Sequence, residues 1–130
     1  MRKIAFILLF VAVVFAACSS SETPEVKAAL AARQYYEHLQ KGEYRQFVDG
    51  HVGSEHWPEA YRSQLIDNAK MFVAKINKER GGLDSVFVAN CKVDESGQKA
   101  NAFLLLCFKD KDREEIVVPM IAIEDTWRMQ

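Results

Sequence analysis

The chain changes its period once, at Gly81-Gly82, and that switch constrains the architecture more than any other feature. Upstream, apolar residues recur at helical spacing; downstream, they fall into short β-rich runs. Thr23 is a candidate N-cap, with Pro24 at the first helical position and Glu25 in the first turn. Val26, Leu30, Tyr36 and Leu39 then mark one helix that closes at Lys41-Gly42. A second, short helix is expected from Glu43 to Val48, carrying Tyr44 and Phe47, and Asp49 to Gly53 reads as a loop. The third helix is expected from Pro58 to Arg80, where Tyr61, Leu65, Ala69, Phe72 and Ile76 form a stripe widened by Ile66 and Val73.

Beyond Gly82 the sequence predicts four strands: Val86 to Val93, Asn101 to Phe108, Ile116 to Ile123 and Trp127 to Gln130. Their links are short and polar, so the strands should form an antiparallel meander. Helices first and strands after give an α+β class, with three N-terminal helices packed on one face of a four-stranded sheet.

Residues 1–17 are expected to lie outside this domain. Ile4 to Ala17 is fourteen apolar residues without a break, preceded by Arg2 and Lys3. As a helix it would span roughly 21 Å at about 1.5 Å per residue, short of the ~30 Å hydrocarbon core. A charged start, a short apolar stretch and small residues at its end read as a secretory signal peptide. Its removal leaves 113 of 130 residues, enough for one domain over 24–130. It also takes two of the 17 basic residues while leaving all 18 acidic ones, for a net charge of −3. That balance argues against nucleic acid as a partner, which would call for a basic face.

Phe15-Ala16-Ala17-Cys18 resembles the lipobox of bacterial lipoproteins, with Phe15 where that family usually has leucine. The resemblance implies cleavage before Cys18, acylation of its thiol and new amine, and a lipid bilayer of the cell envelope as partner, the outer membrane favoured over the inner. Two or three acyl chains hold a protein stably where one holds it marginally. The alternative is ordinary cleavage between Ala16 and Ala17, leaving Cys18 unmodified. Residues 18–23, polar after the cysteine, read as a tether.

The pattern Ala31-Ala32-Arg33-Gln34-Tyr35-Tyr36, then Lys41-Gly42-Glu43-Tyr44, a long amphipathic helix and a meander ending Asp125-Thr126-Trp127-Arg128-Met129 resembles small bacterial lipoproteins of the Bacteroides type. These have the nuclear transport factor 2-like (NTF2-like), or cystatin-like, fold. The resemblance implies a curved sheet wrapped with its helices into a cone. Such a cone holds a ligand, an active site of the ketosteroid isomerase or SnoaL-like kind, or only core.

Candidate sites are few. Tyr36, Tyr44, Phe47, Trp57, Tyr61 and Phe72 cluster in the helical half. Aromatic rings there serve as core, or as the lining of a pocket for a small hydrophobic ligand. His51 and His56 lie five apart around a loop, and His38 is on the first helix, a poor spacing for metal. No cofactor motif appears: Gly81-Gly82 follows a helix and precedes a strand, the reverse of a phosphate-binding loop, and there is no nucleophile elbow. Asp49 and Asp67 could reach a cone mouth, but the sequence shows no partner for either. The expectation is therefore a non-catalytic binding or interaction module, with an enzyme as the alternative.

Two features of the strands complete the reading. Phe103 to Phe108 and Val117 to Ile123 are apolar without alternation, so either both faces are covered within the chain or a partner covers the outer one. The NTF2-like resemblance implies a second copy of the chain, with another envelope protein as the other possible partner. Cys91 and Cys107 invite a disulfide. With Ser96-Gly97 centring the turn, however, Cys91 falls opposite Asn101 or Ala102. Cys107 then lies on the order of 16 Å further along its strand, against the ~7 Å a disulfide allows. Both thiols should be free and buried.

Overall fold

The computed structural model describes residues 23–130. The expected signal peptide, Cys18 and all of the expected tether but Thr23 lie outside the described residues. The elements are helix α1 (Pro24–Gln40), helix α2 (Tyr44–Asp49), a 3-10 turn (Ser54–His56), helix α3 (Glu59–Arg80), and strands β1 (Leu83–Val93), β2 (Lys99–Phe108), β3 (Arg113–Ile123) and β4 (Thr126–Met129). The strands pair in sequence order, all antiparallel, as one four-stranded sheet.

Local chemistry explains the helix ends. Thr23 caps α1 by accepting a hydrogen bond from the Val26 N–H at 3.2 Å. At the far end of α3 the chain needs a left-handed residue, and Gly81 supplies it at φ 79°. The strands begin earlier than their apolar runs. Leu83, Lys99 and Arg113 open them; Lys99 and Arg113 can do so because backbone pairing at the exposed ends of the sheet is indifferent to charged side chains.

One face of the sheet is core. Ala100, Ala102, Leu104, Leu106 and Phe108 of β2 point inward beside Val86, Val118, Met120, Trp127 and Met129. Helix α1 crosses this face and presents Ala28 and Ala32, both fully buried, so it lies close against the strands. A register shift between Val88 and Asn90 bends β1, which helps curve the sheet around its helices. Helix α3 is held differently: of its apolar stripe only Ala69 and Ile76 are buried. Tyr61 and Phe72 are exposed, Leu65 is half-buried, and the space they face is a cavity.

The opposite face carries Phe87, Phe103, Leu105, Val117 and Ile121, facing away from the helices. Phe87 and Val117 remain half exposed, at 50% and 51%. Cys91 pairs opposite Ala102, and Cys107 opposite Ser85, so the two thiols lie far apart along the ladder and both are free.

Candidate functional site

A cavity of about 510 Å³ opens between the helices and the end of the sheet. Helix α1 contributes Tyr36 and Leu39, α2 contributes Phe47 and Val48, and the following loop contributes His51, Val52 and Trp57. Helix α3 closes the far wall with Tyr61, Leu65, Asn68, Ala69 and Phe72, and the terminal Gln130 reaches in from beyond β4. Its volume falls in the range usual for small-molecule sites.

The aromatic rings form a continuous arc. Tyr36 meets Phe47 edge-on at 5.2 Å between centroids, and Phe47 meets His51 edge-on at 5.7 Å. His51 lies tilted against Trp57 at 6.1 Å, and Trp57 meets Tyr61 edge-on at 5.0 Å. Edge-to-face pairs are the favoured geometry, so the rings hold one another in place.

The loop that carries His51 is tied down from several sides. The Val52 N–H donates to the Met129 carbonyl at 2.8 Å, and the Met129 N–H to the Gly50 carbonyl at 2.9 Å. His51 Nδ1 lies 2.9 Å from the Val48 carbonyl oxygen, which can only accept, so Nδ1 carries a proton. Arg62 of α3 donates through Nε to Asp49 at 2.7 Å, and also to the Ser54 carbonyl and to Glu59. The Ser54 hydroxyl donates to the Asp49 carbonyl at 2.8 Å. Asp49 is thus the anchor of a staple between α3 and the end of α2.

The lining has little charge chemistry. Burial pushes the Tyr36 hydroxyl above its ordinary pKa, which keeps it a neutral O–H. The Asn68 side-chain oxygen already accepts from Gln64, and the Gln130 amide donates to the Met120 carbonyl. Cys91 and Cys107 lie elsewhere on the sheet. Among the described residues no cluster of His, Cys, Asp and Glu could hold a metal ion, and no helix is long and apolar enough to cross a membrane.

Five of the six aromatic candidates, Tyr36, Phe47, Trp57, Tyr61 and Phe72, line this cavity. Tyr44 does not: it opens α2, its hydroxyl lies beside Gly42, and it lines a separate cleft with Gln40, Val73 and Asn77. His51 enters the site and His56 does not, its side chain being 84% exposed. His38 pairs with Glu43 at 2.7 Å. His51 had no helical signal, since α2 ends at Asp49; its bridge to Met129 beside β4 brings it in. Gln130 had no local signal; the return of β4 beside the loop brings it in.

No protein-family model matches the chain, and no curated protein matches its sequence. Among solved structures it is similar to a candidate NTF2-like transpeptidase from Campylobacter jejuni, determined at 2.00 Å. The superposition covers 75% of this chain and 92% of that one, with a TM-score of 0.62 at 15% identity. The fold is NTF2-like. At this identity the likeness is one of architecture: three helices packed on a four-stranded antiparallel meander.

Proposed function

We propose that this protein is a lipid-anchored binding module of the bacterial cell envelope, whose NTF2-like cone takes up a small, largely apolar, ring-bearing ligand. The observation that carries the reading is the arc of five rings around an open cavity. Helix α3 leaves the Tyr61–Leu65–Phe72 stripe facing that cavity instead of burying it against the sheet. Apolar surface held open in this way is favourable to cover. The lipid anchor is supported by Ala16-Ala17-Cys18 at the end of the signal peptide.

A binding role fits the lining better than catalysis. The cavity offers one imidazole and neutral polar side chains, with no side-chain carboxylate or thiol in its wall among the described residues. Proton or acyl transfer would call for a paired acid, base or nucleophile there.

The outer sheet face supports a second proposal, self-association. Phe87, Phe103, Leu105, Val117 and Ile121 form a stripe that a two-fold axis would lay over itself, apolar on apolar.

Titration with naphthalene, read by tryptophan fluorescence, tests the cavity. Saturable binding to the wild type is expected, and loss of binding in Leu65→Trp, which fills the space. Unchanged binding in a folded Leu65→Trp would place the ligand elsewhere.

A further inference from the structure

The geometry points to His51 as the polar anchor of the cavity, selecting aromatic ligands that carry a hydroxyl or N–H donor. This rests on the cavity being a ligand site. The Val48 carbonyl accepts both the His51 backbone N–H at 3.2 Å and Nδ1 at 2.9 Å, so Nδ1 is the protonated nitrogen. A neutral imidazole carries one ring proton, which leaves Nε2 with a lone pair and the role of acceptor. Among the described residues Nε2 has no hydrogen-bond partner, while the ring lies in the cavity wall.

The ring cannot easily turn to change that role. Phe47 stands edge-on to it and Trp57 lies tilted against it, while the Val52-to-Met129 hydrogen bond pins the backbone next to it. Of the side-chain amides of the lining, the Asn68 oxygen already accepts from Gln64, and Gln130 is held through its amide N–H on the Met120 carbonyl. His51 is therefore a pre-oriented acceptor set among aromatic surfaces. A flat ring covered by Trp57 and Phe47 leaves an acceptor unsatisfied unless the ligand brings a donor, and an unmatched buried polar group is penalised. The ligand chemistry that satisfies both is a phenol, an indole or an aromatic amine.

The test compares naphthalene, 2-naphthol and 2-methoxynaphthalene at pH 8 by tryptophan fluorescence and isothermal calorimetry. The methoxy compound keeps the ring and oxygen but has no donor. Wild type should bind 2-naphthol about five- to tenfold more tightly than 2-methoxynaphthalene, the gain of one hydrogen bond. His51→Phe keeps a ring between Phe47 and Trp57, so it should retain naphthalene and bind the two oxygen compounds equally. His51→Gln, whose amide can present an oxygen in place of Nε2, should recover part of the preference. Equal binding of naphthol and methoxynaphthalene by the wild type would overturn the anchor and leave the cavity standing. Failure of all three to bind up to their solubility limits would overturn the cavity reading itself. A His51→Phe variant that binds naphthalene and still prefers naphthol would move the acceptor role to another group.

Discussion

Gly50 lies directly on the ring of Tyr35: a Cβ at Gly50 would stand 2.5 Å from ring carbons Cδ1 and Cε1. The backbone there has φ −72°, open to any residue, so it is space that requires glycine. Tyr35 cannot swing aside freely, because its hydroxyl donates to the Trp127 carbonyl at 2.8 Å. This contact joins α1, the end of α2 and β4, and so sets the start of the His51 loop. Gly50→Ala should destabilise the fold by about 1–3 kcal/mol, the usual cost of overpacking. Adding Tyr35→Ala should recover part of that loss, since the clash is with the ring. Urea unfolding of the two single variants and the double variant checks this; strictly additive losses would show that the clash is relieved elsewhere.

Arg62 ties α3 to the segment that carries His51. Its side chain is only 13% exposed and donates to Asp49, Ser54 and Glu59 at once. A lysine keeps the charge but cannot reproduce a planar fork with several fixed donors. Arg62→Lys should therefore melt a few degrees below wild type, and Arg62→Ala lower still. A lysine variant that melts with the wild type would show the fork to be dispensable.

Glu59 makes this region acid-sensitive. Hydrogen bonding from Arg45, and then from Arg62, holds its carboxyl below the ordinary value of 4.5. A carboxylate with a depressed folded pKa stabilises the protein above its unfolded pKa, and that contribution is lost as pH falls through the folded value. Glu59→Gln should thus melt below wild type at pH 7, with the difference shrinking toward pH 3. The gap should also narrow in high salt, because the Arg45–Glu59 pair is exposed on both sides. Asp94, held low by the Ser96 hydroxyl, adds a slope of the same sign to both proteins and cancels in the comparison.

How much of this was legible beforehand follows from which signals are local. Caps, turns and periods are local, so the Thr23 cap, the Gly81-Gly82 stop, the order of elements and the pairing of Cys91 near Ala102 could be read from neighbouring residues. The facing of β2 could not be, because Phe103 to Phe108 is apolar at every position; only the placement of α1 shows that Leu104 is core and Leu105 is outer face. In the site, the aromatic residues were visible by type. The exclusion of Tyr44 and the entry of Gln130 depend on how α2 and β4 sit against their neighbours, and the Asp49–Arg62 pair spans thirteen residues across a loop.

The outer face gives the next prediction. Phe87 and Val117 are half exposed in the middle of the sheet, so replacing either with lysine should leave the monomer fold intact. Sedimentation of the wild-type domain at micromolar concentration should give twice the monomer mass, and Phe87→Lys or Val117→Lys should give the monomer with an unchanged melting curve. A wild type that sediments as a monomer would sink the self-association proposal. Leu104→Ala, by contrast, acts on the fully buried face and should cost about 2–5 kcal/mol of stability.

The cysteines allow one count to address both the anchor and the sheet. Cys91 and Cys107 face opposite sides of the sheet, far apart along the ladder, and neither has a partner thiol within its own domain. Burial pushes the Cys91 thiol above its ordinary pKa, which keeps it protonated and slow to react in the folded protein. Acylation of Cys18 would block the third thiol. Mature protein from the membrane fraction, denatured without reductant, should therefore show two titratable thiols. Three would mean that Cys18 is unmodified and the anchor proposal fails; fewer than two would mean that Cys91 and Cys107 are oxidised. Cys18→Ser separates the anchor from the fold: the variant should leave the membrane fraction or accumulate as uncut precursor, while its two sheet thiols still titrate. A Cys18→Ser protein that is processed and membrane-held like the wild type would place the anchor elsewhere in the chain.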